Sequence, residues 1–181
     1  DFYRAVLEGE PYKVRGLIGF GTNLVMAHAD PRKARHALAA LDFFAHADVF
    51  MNPTAEQADI VLPVASCFER EALKIGFEIN PEAQSLVQLR SAVAPPPGEA
   101  RSDTDIVFGI AEALGLGGDF WNGSIDASYR QQLKPSGVTL EQLRSAPDGV
   151  RVPLSVKAQK YAAAGPDGIA AGFATPSRKV E

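Results

Sequence analysis

The chain has 181 residues, 46% of them hydrophobic, enough for one sizeable core, since a domain of this length buries roughly 70% of its unfolded surface. A net charge of -4 leaves no broad basic field for a nucleic-acid backbone, and no apolar run approaches the ~20 residues that cross a membrane. The single cysteine, Cys67, excludes an internal disulfide or iron–sulfur site and reads as a small apolar core residue in a reducing compartment.

The first residues already look like part of an element. Phe2, Ala5 and Val6 fall at helical spacing, with no initiator Met, which reads as an excised fragment. In "KVRGLIGFGTN", Leu17, Ile18 and Phe20 form an apolar run that ends on Gly-Thr-Asn. That predicts a buried strand entering a tight loop. "ADPRKARHALAAL" follows, with Asp30 as cap and Pro31 at the first helical position. Ala34, Leu38 and Leu41 make its apolar stripe. "DFFAHADVF" predicts a second strand ending near Asp48, "TAEQAD" a turn of helix, and "IVLP" a third strand. Strands and helices alternating at this spacing argue for a parallel sheet with helical crossovers.

Later signals are mixed. "SLVQLRSAV" has an imperfect alternation and is expected to be a strand. Three successive prolines keep "APPPGEARSD" out of any helix or central strand. "SDTDIVFGIAEALGLG" predicts a helix capped by Ser102 or Asp103, with Ile106, Ile110, Ala113 and Leu114 inward and Gly115 at its end. Short helices are expected in "DASYRQQL", "TLEQLRSA" and "SVKAQKYAAA", and a loop in "GPDGIAAGF". "ATPSRKVE" reads as the beginning of a strand. The fold class is therefore α/β: a three-layer, mostly parallel sheet with Rossmann-like βαβ units, helices on both faces and a helical or irregular C-terminal part. Residues 1–118 form the core, 119–174 an extension, and 175–181 the start of a link to a further domain.

Three constellations carry chemistry, each with a plainer reading beside it. The glycine-bearing loop Gly19–Asn23 suits close approach of a nucleotide, or it is a tight turn. Asp48 ends a strand at the edge where parallel sheets gather ligands, and its carboxylate can accept two donors from a ribose or a guanine edge. It also suits a plain turn. Arg70, between Glu69 and Glu71, suits pyrophosphate or base contact, or belongs to a solvated charge run. His28, His36 and His46 stand singly and read as surface or packing residues.

The order of the strings is more specific than any one of them. "LIGFGTN", "LDFFAHADVFMNPTAEQADIVLP", "FEREA", "AVAPPPGEARSDTDIVFGIAEALG" and "TPSRKVE" together resemble the third domain of the molybdopterin oxidoreductases, the dimethyl sulfoxide reductase family. The resemblance covers Pro11–Gly115 and again Thr175–Glu181. It implies that Asp59 orients the turn feeding the third strand, and that Asp48 holds the guanosine of a molybdopterin guanine dinucleotide. It places Gly21, Asn23, Arg70 and Asp103 beside the same nucleotide. One departure stands out: the family's glycine after the acidic-basic-acidic triplet is Ala72 here. Such a chain contributes to a molybdenum or tungsten oxidoreductase, with the metal ligand and any iron–sulfur cluster elsewhere in the parent polypeptide. This fragment alone is expected to show no turnover and to hold neither catalytic nor metal-ligating residues. Expected partners are the remaining domains of that polypeptide and an electron-transfer subunit, not nucleic acid, with no membrane segment expected in this fragment. The expected compartment is the cytoplasm, or the periplasm where an upstream segment carries a twin-arginine signal. A cofactor-free structural domain of the same fold, as in the large iron–sulfur subunit of respiratory complex I, is the alternative. An unrelated nucleotide-binding domain, like the central domain of thiamine-diphosphate enzymes, explains the fold but not the later strings.

Overall fold

The computed structural model describes residues 2–75, 80–155, 159–166 and 168–180. Helix α1 (Phe2–Leu7) precedes strand β1 (Gly16–Phe20), helices α2 (Leu24–Ala27) and α3 (Pro31–Ala39), and strand β2 (Phe43–Asp48). A single 3₁₀ turn, Ala55–Gln57, leads into β3 (Ile60–Pro63). The three strands pair in parallel in the order β1-β2-β3, with Leu17 opposite Phe44 and Ala45 opposite Ile60. Because side chains alternate along a strand, β2 points Phe44 and His46 to one face and Ala45 and Ala47 to the other. Phe44 packs with Val25 and Leu38 on the first face, alongside Phe2, Leu17 and Leu41. Ala47 and Val64 pack with Ile106 on the second, alongside Phe20, Leu62 and Ile110. Helices thus cover both faces, as the alternation of elements predicts.

Local chemistry fixes the element ends. Asp30 Oδ1 accepts the Arg32 and Lys33 N–H groups at 3.1 and 3.0 Å, capping α3. Asp59 Oδ2 accepts the Phe44 N–H at 2.7 Å, and the Asp59 N–H donates to the Phe44 carbonyl at 2.8 Å. That clamp sets the entry of β3 against β2 and gives Asp59 an orienting role. Helix α5 (Asp103–Ala113), which supplies Ile106, is capped by Ser102 in a reciprocal box with Asp105.

A second, antiparallel sheet lies beyond the sequence-based expectation. Strand β4 (Ala72–Ile75), helix α4 (Pro81–Gln84) and strand β5 (Leu86–Arg90) precede α5 in the chain. Helices α6 (Ile125–Leu133) and α7 (Leu140–Arg144) and strand β6 (Val150–Arg151) follow it. The sheet order is β4-β5-β6. Val87 and Leu89 of β5 bury against Tyr129, Leu133, Leu140 and Leu143, so this sheet and the two helices form their own apolar cluster.

Four expectations are corrected. Cys67 is exposed rather than in the core, because it sits on the loop after β3 and not inside an element. In α5 the buried residues are Ile106, Phe108 and Ala111, while Leu114 is 69% exposed. The helix is apolar on nearly every side, so periodicity alone does not select a face; Phe108 is drawn inward by Phe120 and Trp121, with ring centroids at 5.8 and 5.9 Å. Of "SVKAQKYAAA", residues 156–158 lie outside the described ones, and the described part holds only a 3₁₀ turn, Lys160–Ala162. The stretch before Glu181 turns back on itself instead of entering a strand: the Phe173 N–H donates to Arg178 O, and the Arg178 N–H to Thr175 O, each at 3.0 Å.

Ion pairs tie the second cluster together. Arg144 Nη2 lies 2.7 Å from Asp126 and 2.9 Å from Glu71, while Arg130 reaches Glu141 at 2.7 Å. The Arg144 hydrogen bond holds the Asp126 carboxyl below its ordinary range, and that of Arg130 does the same for Glu141. Depressed carboxylates stabilise the folded state above their unfolded pKa and lose that contribution as pH falls through the folded one. An Asp126→Asn variant should therefore be less stable than the parent at pH 7, and the difference should close below about pH 4. Urea midpoints measured between pH 7 and pH 3 check this. Asp59→Ala removes the acceptor of the Phe44 N–H and should cost about 1–3 kcal/mol, read from the same midpoints at pH 7.

Candidate functional site

Parallel strands deliver their carboxyl ends to one edge, and three of the five predicted site residues meet there. Gly21 leaves β1 at a φ of +53°, a left-handed conformation that glycine adopts without steric cost. Its N–H donates to the Ala47 carbonyl at 2.9 Å. Asn23 caps α2, accepting the Met26 N–H on Oδ1 at 3.2 Å. The same Oδ1 accepts the Thr54 hydroxyl at 3.1 Å, and Thr54 Oγ1 accepts the Val25 N–H at 3.0 Å. Asn52 Oδ1 accepts the N–H groups of Thr54 and Ala55 at 2.9 and 3.0 Å. Its Nδ2 donates to Asp48 Oδ2 at 2.8 Å. Asp48 Oδ1 accepts the Phe50 N–H at 3.0 Å, and His46 Nε2 lies 3.3 Å from Oδ2. Asn23, Thr54, Asn52, Asp48 and His46 therefore form one continuous polar network.

The network is mostly buried. His46 and Thr54 are fully enclosed, and the Asp48 side chain is 12% exposed. His46 Nδ1 is buried with no hydrogen-bond partner. Gly19 on β1 faces it, and a Cβ there would lie 2.7 Å from that nitrogen, so only glycine fits. Asp48 engages three donors; a carboxylate has about four acceptor positions, so one remains.

Arg70 and Asp103 meet separately, with Arg70 Nη2 3.4 Å from Asp103 Oδ2. Arg70 is 29% exposed on its side chain, yet its Nε is buried without a partner. It borders a cleft of about 400 Å³ shared with Glu69, Glu71, Arg101, Ser102 and Asp105. The neighbouring acids are engaged: Glu69 Oε2 accepts the Ser66 N–H at 2.7 Å, Glu71 pairs with Arg144, and Asp105 serves the α5 cap. The charge run is thus paired side chain by side chain rather than solvated, and it opens onto β4. Asp48 does not line this cleft. The two groups are joined through backbone: Val64 N–H donates to Asp48 O at 3.1 Å, Arg101 N–H to Pro63 O at 3.1 Å, and Ala65 N–H to Arg101 O at 2.8 Å. An adjoining groove of about 480 Å³ between β3 and α5, which shares Arg101 and Asp105 with that cleft, holds none of the predicted residues.

Sequence reasoning missed Asn52, Thr54 and the tie of His46 to Asp48. The signal for the first two was an Asx turn entering "TAEQ"; the third needed strand register, which brings residues two apart onto one face.

An α/β chain with a parallel sheet and helices on both faces belongs to the broad class of layered α/β folds. Residues 6–113 match the molybdopterin oxidoreductase family, and the chain belongs to that family. It is 32% identical over 144 residues to the F420-dependent formate dehydrogenase subunit alpha of Methanocaldococcus jannaschii, covering 77% of this chain and 20% of that protein. It is 33% identical over 139 residues to the assimilatory nitrate reductase catalytic subunit of Bacillus subtilis, covering 72% and 19%. The solved structure of acetylene hydratase from Pelobacter acetylenicus superposes with a TM-score of 0.75 at 27% identity, over 99% of this chain and 23% of that one. The chain spans about a fifth of the length of the relatives it matches.

Thr54 is the hinge of the network. Thr54→Val keeps the shape but strands the buried Val25 N–H and removes a donor from Asn23. The loss should be about 1–3 kcal/mol, with Thr54→Ser close to wild type; paired urea denaturation curves check both.

Proposed function

We propose that this chain forms part of the guanine dinucleotide site of a molybdenum or tungsten oxidoreductase. The observation that carries this reading is the joining of Asn23 and Asp48 in one hydrogen-bonded network at the carboxyl edge of the parallel sheet, beside the Gly21 loop. Asp48, with one acceptor position left, suits a single N–H donor of a guanine edge. Arg70 has an unpartnered Nε and a planar fork that suits a phosphate or the face of a base; Asp103 holds that fork. The loop at Gly21 lets backbone approach the nucleotide without a side chain in the way. These residues fit the group: an acceptor for the base, a cation beside a cleft, and no competing fixed charge left unpaired among the cleft acids named above.

When bound, the metal–pterin group supplies two-electron chemistry, and the protein supplies orientation and electrostatics. The residues of this chain bind and orient; none of them is assigned a proton or electron transfer, and the chain alone is proposed to be inactive. Its partners in this reading are the other domains of the parent polypeptide and an electron-transfer subunit, in the cytoplasm, or in the periplasm where a twin-arginine signal precedes it.

A second reading has its own observation. Three internal donors already hold Asp48, and Asp103 already holds Arg70, as suits a structural domain that keeps the fold without the cofactor. The test is chemical. The full-length gene product is purified, hydrolysed in acid and assayed for released guanine nucleotide and for bound molybdenum and tungsten. Asp48→Ala and Arg70→Ala should each lower nucleotide content about tenfold, the effect of losing roughly 1.4 kcal/mol. Full content in both variants would overturn the assignment of these residues, and a wild-type protein free of nucleotide would establish the structural reading instead.

A further inference from the structure

We infer that Asn52 is the positioning residue for Asp48, an inference that rests on the guanine-binding reading above and names the group that aims its carboxylate. The amide of Asn52 has no freedom to flip. Its Oδ1 takes two backbone N–H groups, from Thr54 at 2.9 Å and Ala55 at 3.0 Å, so its Nδ2 must face Asp48, at 2.8 Å from Oδ2. Charge-assisted bonds of this length are about twice as strong as neutral ones. His46 Nε2 approaches the same oxygen at 3.3 Å, and the Phe50 N–H takes Oδ1 at 3.0 Å. Both oxygens are thereby pinned, and the carboxylate plane is set before any ligand arrives. Asn52 also carries that orientation to the β1 loop, because Thr54 donates to Asn23 at 3.1 Å. The base site and the glycine loop are one preorganised unit with Asn52 at its centre. Preorganisation raises affinity by removing the cost of ordering these groups on binding.

Asn52→Asp separates positioning from folding. An aspartate keeps the acceptor for Thr54 and Ala55, so the turn survives, but it replaces the side-chain amide donor on Asp48 Oδ2 with a second carboxylate. Two carboxylates this close cannot both ionise comfortably and come to share a proton. Around Asp48 stand His46 on its own strand, Pro63 opposite on β3, the Gly21 loop after β1 and the Asn52 turn; His46 is present in both proteins.

Guanosine 5′-diphosphate is titrated by calorimetry into the cofactor-free full-length gene product, wild type and Asn52→Asp, at pH 8 and pH 5.5. The ratio of wild-type to variant affinity should be about ten at pH 8 and should fall towards one at pH 5.5, where the shared proton restores a donor. Asn52→Ser, which keeps a turn acceptor but cannot reach Asp48, should lose affinity equally at both pH values. Melting temperatures are recorded alongside, and if Asn52→Asp does not fold, Asn52→Ser decides. Equal affinity of wild type and the folded variants at pH 8 would overturn the positioning role while leaving nucleotide binding intact. No binding of the diphosphate by wild type would overturn the guanine reading, and this inference with it.

Discussion

Parallel pairing of β2 between β1 and β3 is the constraint on which the rest of this structure depends. Parallel neighbours all run one way, so every strand discharges its chain at the same edge, and every return must cross a face as helix or loop. Burial of β2 on both faces leaves its central residues little contact with water: Phe44, Ala45, His46 and Ala47 are all buried. The first place where the strand can expose a polar side chain is its carboxyl end, and there Asp48 stands. The clamp between Asp59 and Phe44 works at the opposite end of the same strand pair. It fixes the register that sets Asp48 opposite Pro63.

Satisfaction of buried polar groups then explains why the edge is organised rather than loose. A buried donor without a partner costs about 1–3 kcal/mol, and the turn after β2 contains several within a few residues. Asn52, Thr54 and Asn23 answer one another's needs, so the loop after β1 and the turn after β2 are held by a common set of bonds. His46 is the exception, with one ring nitrogen paired and the other orphaned against the bare backbone of Gly19.

Legibility from sequence followed local signatures. Helix α3 with its Asp30 cap and the start of α5 rest on contacts within a few residues, and strands β1, β2 and β3, though paired across 15 to 27 residues, are announced by short apolar runs ending on turn residues. Strands β4 and β6 are not. Ala72–Ile75 follows a charged triplet and Val150–Arg151 is two residues long, so each becomes a strand only because β5 supplies a partner. The candidate site divides the same way. Local signatures pointed only to a strand end at Asp48 and a glycine-bearing loop at residues 19–23; the resemblance singled out Asp48, Gly21 and Asn23 as candidates. Thr54 was not legible, since its importance comes from a hydrogen bond across 31 residues of chain, and the local Asx turn that marks Asn52 does not reveal that its amide also reaches Asp48. The inward face of α5 was misjudged for a related reason: an apolar helix offers several faces, and distant aromatic rings chose among them.

The departure at Ala72 takes its meaning from the second sheet. Residue 72 is the first of β4, paired with Arg90 across an antiparallel ladder, and an extended backbone of that kind suits alanine better than glycine. What precedes it is held just as firmly. Glu71 is fixed by Arg144 through two hydrogen bonds of 2.9 and 3.3 Å, and its carbonyl accepts the Tyr129 hydroxyl at 3.3 Å. Arg70 is thus set between a strand start on one side and the Glu69–Ser66 turn on the other. Where a glycine would leave the guanidinium to be positioned by a flexible loop, this chain positions it from α6 and α7. The antiparallel cluster, remote from the parallel sheet in its packing, is therefore part of what aims Arg70 at Asp103 and at the cleft beside it.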